Sequence, residues 1–212
     1  TIGRSKPIGI CGSGLIDSVA EFLETGMIDQ NGKFRRDLAT DRIRKGPDGY
    51  EYVLARKEET LIHEDIVLTE IDIENLIRTK AAIYAGFTVL AENVGIPLES
   101  ADKVLVGGSF GKYINVEKAV QIGLLPDMPW EQFQFLGNTS IRGAYMALLR
   151  RDVRAHLNHV AGMMTYLELS ADNTFFDAFM SAMFLPHTDL EKFPSVREAL
   201  SGATKGSDAD TR

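Results

Sequence analysis

Three short glycine-rich segments and one lysine are the residues whose types and spacing could do chemistry. The segments are Cys11-Gly-Ser-Gly14, Gly107-Gly-Ser-Phe-Gly111 and Gly137-Asn-Thr-Ser140. Each runs into a stretch with helical features. The first N–H groups of a helix lack backbone partners and carry partial positive charge, so they attract phosphate. Glycine lets a ligand approach the main chain with no side chain in between. On this chemistry Gly12, Ser13 and Gly14 are candidates for a nucleotide phosphate. A tight strand-to-helix turn explains the same three residues without a ligand.

The second segment follows the apolar run Val104-Leu-Val106. Paired glycines at the end of such a strand are a common place for a ligand, which makes Gly107, Gly108 and Ser109 candidates. No Gly-Lys-Ser/Thr follows at P-loop spacing. In the third segment Gly137 and Asn138 open a helix, and helix capping accounts for Asn138 by itself. Lys80 sits in the apolar stripe of a long helix. It either snorkels to water or, if buried, needs a partner such as a phosphate or ribose. His187 stands near Asp189, and His156 and His159 share a helix face. Neither group reaches the roughly three or four ligands zinc takes, so no metal site is expected. Cys11 reads as a packed small residue, because no His lies near it in sequence.

These loops need strands and helices to hold them. A helix after Gly14 carries Leu15, Val19, Phe22 and Leu23 on one face and stops at Gly26. Residues 29–65 are polar, with turns at Asn31-Gly32 and Asp48-Gly49, and read as an insertion or hairpin region. Strands are expected at Tyr50–Ala55 and Ile66–Thr69. Asp72 then caps a helix to Val94, with Ile73, Leu76, Ile77, Lys80, Ala81, Tyr84, Phe87, Leu90 and Val94 as its stripe and Gly95 as its stop. Val104–Val106 is expected as a central strand. Asn115 caps a short helix. A strand at Phe135-Leu136 leads to a helix through Ile141, Tyr145, Leu148 and Leu149, and a further helix runs from Asp152 to Met164. A strand at Tyr166–Leu169 and a helix from Asn173 to Phe184 follow. Alternating strands and helices give an α/β class. Residues 1–198 form the folded part, and 199–212 read as a disordered tail.

The 212 residues carry a net charge of −7 and 44% hydrophobic residues, an ordinary globular composition. The acidic balance argues against nucleic acid, whose phosphates want clustered Lys and Arg. No apolar run approaches the roughly 20 residues of a membrane span, and the polar start does not resemble a signal peptide. The cytoplasm is the default expectation. One cysteine forms no internal disulfide and cannot supply the roughly four thiolates of an iron–sulfur cluster.

Taken as an ordered set, the segments resemble a known pattern. Val104-Leu-Val-Gly-Gly-Ser109 resembles the adenosine motif of the acetate and sugar kinase, heat-shock chaperone and actin superfamily. The Gly137-Asn138 loop and its helix with Gly143-Ala144 resemble that superfamily's second connecting motif. The closer likeness, over about residues 7–198, is to the C-terminal region of the reductive activators of corrinoid proteins. It rests on Gly9-Ile-Cys-Gly-Ser-Gly-Leu-Ile-Asp17, Ile71-Asp72 leading to Lys80-Ala-Ala-Ile83, Gly107–Gly111, Ile122-Gly-Leu-Leu-Pro126, Gly137-Asn138 and Leu185-Pro-His-Thr-Asp189.

The resemblance implies an actin-like, ribonuclease H-like ATPase lobe, part of an incomplete two-lobed nucleotide-binding domain. It implies ATP or ADP with Mg²⁺ as ligand, and a corrinoid protein as partner whose inactive Co(II) is returned to Co(I). An electron donor would act through a ferredoxin-like domain holding a [2Fe-2S] cluster outside this chain. A homodimer is one oligomeric state open to it. The superfamily's Asp-Ile-Gly-Thr phosphate hairpins are not found here. The chain is therefore expected to begin partway through the domain and to lack ATPase activity alone. A small-molecule kinase of the same superfamily, or a non-catalytic nucleotide-sensing or docking domain, are the alternatives.

Overall fold

The computed structural model describes residues 4–108, 111–169 and 173–207. Helix α1 spans Gly12–Glu24 and is capped by Cys11. It buries Val19, Phe22 and Leu23 as the apolar spacing anticipates, with Ile16 and Ala20 also inside and Leu15 half-buried at the edge of the core. Three antiparallel strands follow in sequential order: β1 (Ile43–Gly46), β2 (Gly49–Ala55) and β3 (Ile66–Thr69). The β1–β2 hairpin closes where Gly46 pairs with Gly49, next to the expected Asp48-Gly49 turn. Glu51 on β2 is buried, and its carboxylate accepts from the Arg44 guanidinium at 2.8 Å.

Helix α2 (Glu70–Val94) begins at Thr69 rather than Asp72. Thr69 Oγ1 accepts from the Asp72 N–H, and the Asp72 carboxylate accepts from the Thr69 N–H at 2.9 Å, a reciprocal capping box. Gly95 caps the other end as expected. The buried stripe is Ile73, Ile77, Lys80, Ala81, Tyr84, Ala85 and Val89, while Leu90 and Val94 face solvent. The expected stripe drifts off this face over the last turns, where small Ala85 and Val89 take the inside.

Strand β4 (Val104–Gly107) is in place, and β5 (Phe133–Gly137) extends the expected Phe135-Leu136 strand. The two pair in parallel, with α3 (Val116–Gln121) in the crossover. Asn115 caps α3 through its side-chain oxygen. The expectation of a central strand is corrected here. Among the described residues β4 has one strand neighbour, and Leu105 on it is 59% exposed.

Helices α4 (Thr139–Leu149), α5 (Arg151–Met163) and α6 (Asn173–Ser181) have no buried residue. The apolar faces read from the sequence exist, but Ile141, Tyr145, Leu148, Leu149 and Leu157 are exposed. The expected strand at Tyr166–Leu169 is absent; Tyr166 is 80% exposed, and its hydroxyl donates to Glu168. An extended segment needs a partner ladder, and none stands beside it among the described residues. Helix α7 (Pro194–Ser207) continues into the stretch expected as tail, with Val196 buried and Leu200 packed on the core four residues later. The core lies between α1, α2, α3 and the 182–196 segment.

No helix among the described residues is long and apolar enough to cross a membrane.

Candidate functional site

The second and third glycine loops are one structure. Parallel pairing sets Gly107 beside Gly137, and the Gly108 N–H donates to the Gly137 carbonyl at 2.7 Å. Both loops therefore leave the C-terminal ends of adjacent strands together. Asn138 Oδ1 accepts from the Ile141 N–H at 3.0 Å and caps α4, so the remaining N–H groups of its first turn open beside the joined loops. The close fit of this turn shows at Gly107, where an added Cβ would stand 3.0 Å from Thr139 Oγ1. Thr139 belongs to the third segment, but its place against Gly107 was not legible in sequence, because only the strand pairing brings the two together.

Gly108 differs from its neighbour. Its φ is +103°, a region side-chain-bearing residues rarely adopt, and a Cβ there would meet nothing within 4 Å among the described residues. The positive φ is what favours a glycine at this position. Among the described residues the space beside the Gly108 Cα is open. Ser109, assigned to the same loop from sequence, lies outside the described residues.

The first loop is built differently. The Cys11 thiol accepts from the Gly14 N–H at 3.4 Å and lies 3.3 Å from Ser13 Oγ. Cys11 is exposed, which corrects its reading as a packed residue. The Ser13 hydroxyl first, and the Gly14 N–H second, hold its thiol pKa below the ordinary value. Among the described residues no hydrogen bond joins Cys11–Gly14 to the other two loops. Gly14 instead borders an open groove of about 480 Å³ shared with Pro7, Ile10, Leu54 and Ile66.

Lys80 is not at the loops' hydrogen bonds either. It is fully buried, and its ammonium donates to the carbonyls of Phe184 and Pro186, the latter at 2.5 Å. Burial lowers its pKa to about 7. Both bonds survive loss of a proton, because a neutral amine still has two N–H donors. The partner sought for a buried lysine is thus a backbone turn in this structure, not an open ligand surface. The turn carries a cis Leu185–Pro186 peptide. Gly123, with φ +76°, backs it so closely that a Cβ would lie 2.1 Å from the Pro186 carbonyl oxygen. His187 follows, buried between Tyr84 and Phe193, with Nδ1 accepting from the Asp189 N–H at 2.9 Å. Burial, helped by Lys192 and Lys80, lowers its pKa to about 4. The segments around Lys80, Gly123 and Leu185–Asp189, scattered in sequence, form this single junction.

The family model described as the C-terminal domain of RACo, the ASKHA domain, matches residues 1–197. The chain belongs to this family. It is 32% identical over 186 residues to the corrinoid activation enzyme RamQ of Eubacterium limosum, covering 84% of this chain and 31% of RamQ. It is 26% identical over 172 residues to the Co(II) methylated amine-specific corrinoid protein reductase of Methanosarcina barkeri, covering 80% and 28%. A solved structure, a reductive activator for corrinoid, iron-sulfur protein, superposes with a TM-score of 0.87 at 52% identity. That match covers 92% of this chain and 31% of the other. The fold is thus the ASKHA, actin-like α/β domain that the glycine loops pointed to. The chain spans about a third of the length of the relatives it matches.

Proposed function

We propose that this chain is the C-terminal nucleotide-binding part of an ATP-dependent reductive activator, which returns a corrinoid protein from Co(II) to Co(I). The observation that carries the reading is the joining of Gly108 to Gly137 at the N-terminus of α4. That junction offers open backbone for a base or ribose at Gly107 and Gly108, and N–H groups for polar atoms beside Gly137 and Asn138. Gly12, Ser13 and Gly14 present a second helix start, suited to phosphate oxygens once the domain closes. Lys80 acts here as support for the Phe184–Pro186 turn. Relatives that bear names of corrinoid activation support the choice of partner.

Nucleotide contributes by differential binding: ATP shifts an equilibrium only as far as its affinity differs between two states of the protein. A [2Fe-2S] cluster does not fit this chain, because its single cysteine is far short of the roughly four ligands needed. The electron would arrive from a separate domain.

The test is a reduction assay with the full-length protein, a Co(II) corrinoid protein and a chemical reductant. Formation of Co(I), read by its absorbance, should require ATP. Equal Co(I) formation with and without ATP would remove the nucleotide from the account.

A further inference from the structure

Parallel pairing of β4 with β5 sets one side chain against the paired glycines. The three atoms nearest to a Cβ built on Gly107 all belong to Thr139: Oγ1 at 3.0 Å, Cγ2 at 3.6 Å and Cβ at 3.9 Å. The hydroxyl, not the methyl, is the part of Thr139 turned most closely to the glycine. Gly107, unlike Gly108, has no positive φ, so what the glycine provides there is room for this side chain.

The Thr139 hydroxyl also differs from other threonine hydroxyls of the fold. Thr25, Thr79 and Thr88 each donate to the carbonyl four residues back. Thr139 is the first residue of α4, so no helical carbonyl lies four residues behind it. It is exposed, and its hydroxyl makes no hydrogen bond among the described residues. Its partner is therefore water or a ligand.

A hydroxyl both donates and accepts. Of the parts of a nucleotide, phosphate oxygens only accept, and a base lies with its flat face on glycine backbone. The ribose carries hydroxyls that do both, and it is bonded directly to the base. A side chain bordering Gly107, one residue from the open space at Gly108, is placed to meet that sugar.

We propose that Thr139 selects a ribonucleotide at the joined loops, its hydroxyl sharing a hydrogen bond with a ribose hydroxyl. This rests on the nucleotide reading above and adds the part of the ligand that the site discriminates.

Calorimetric titration of the full-length protein with ATP, 2′-deoxy-ATP and 3′-deoxy-ATP tests it. Wild type should bind at least one deoxy analogue about fivefold or more weakly than ATP, the loss expected for one neutral hydrogen bond. Thr139→Val keeps the shape of the side chain and removes the hydroxyl. It should bind ATP and that analogue alike, within about twofold, at the wild type's affinity for the analogue. Thr139→Ser keeps the hydroxyl and should retain the preference for ATP. Circular dichroism confirms folding, and the wild-type comparison stands without any variant. Wild-type binding of all three nucleotides within about twofold would overturn the proposal, as would a Thr139→Val protein that keeps the wild-type preference. Gly108→Val separates the two levels. If it leaves ATP affinity unchanged, the loop reading falls and takes this proposal with it. If it weakens ATP binding while Thr139→Val keeps the preference, only the role of Thr139 falls.

Discussion

Two regions of this chain solve opposite problems. Around the Lys80 junction buried groups are matched: an amine to two carbonyls, a histidine to a backbone N–H, a glycine to the carbonyl it makes room for. Around the joined loops, β4, β5, α4 and α5 leave open backbone and exposed apolar side chains, and α4 and α5 bury nothing. The first region derives rigidity from close packing, where small volume changes are felt. The second leaves its backbone and apolar side chains uncovered, as the proposed nucleotide site requires. Residues of the first region should therefore govern stability, and those of the second should govern binding.

Substitution at the tightest point should have the largest effect on stability. Gly123→Ala places a methyl against the Pro186 carbonyl and strains a positive φ. Overpacking and backbone strain together should cost about 3 kcal/mol or more, read by urea denaturation. Stability within about 0.5 kcal/mol of wild type would mean the turn moves freely. Lys80→Ala comes next. It leaves one buried and one part-buried carbonyl without their donor, and a cavity, for a loss on the order of 3 kcal/mol. An unchanged midpoint would show that the buried amine contributes no net stability.

The same junction should titrate. His187 is neutral in the fold, with its pKa lowered from 6.5 to about 4. The unfolded chain thus binds the extra proton first, so this contribution is complete above pH 6.5 and is lost as pH falls through about 4. Lys80 acts in another window: stability should rise from about pH 7 towards 10.5, as the unfolded amine stays protonated longer. His187→Phe should flatten the acid slope, and Lys80→Met the alkaline one. Parallel slopes in variant and wild type would assign the titration to other groups. The smallest effect belongs to the open region. Leu148→Ser on α4 should change the stability of this chain by no more than about 0.5 kcal/mol, because its side chain contacts mainly water. A loss above about 2 kcal/mol would show that this face is covered.

Much of the packed region was legible in sequence. Helical periodicity placed α1 and α2, and the cap residues Asn115 and Gly95 marked real ends. The α2 stripe failed only where Leu90 and Val94 outrank Ala85 and Val89 in size, since hydropathy does not report which face a neighbour occupies. The Lys80 partner was not legible, because Phe184 and Pro186 lie more than a hundred residues away. In the open region the loops were readable as motifs, but their union was not. Only parallel pairing of β4 with β5 brings Gly108 to Gly137. The apolar faces of α4 and α5 were legible, but their exposure was not, because amphipathicity records that a face can be covered, not that it is.

The central claim is that the joined loops hold nucleotide through open backbone at Gly108. Calorimetric titration of the full-length Gly108→Val protein with ATP tests it directly, with circular dichroism confirming the fold. The account predicts ATP affinity reduced more than tenfold, a loss above about 1.4 kcal/mol, with the iron–sulfur absorbance unchanged. A folded Gly108→Val protein that binds ATP as wild type does would contradict it and reduce this loop to a turn.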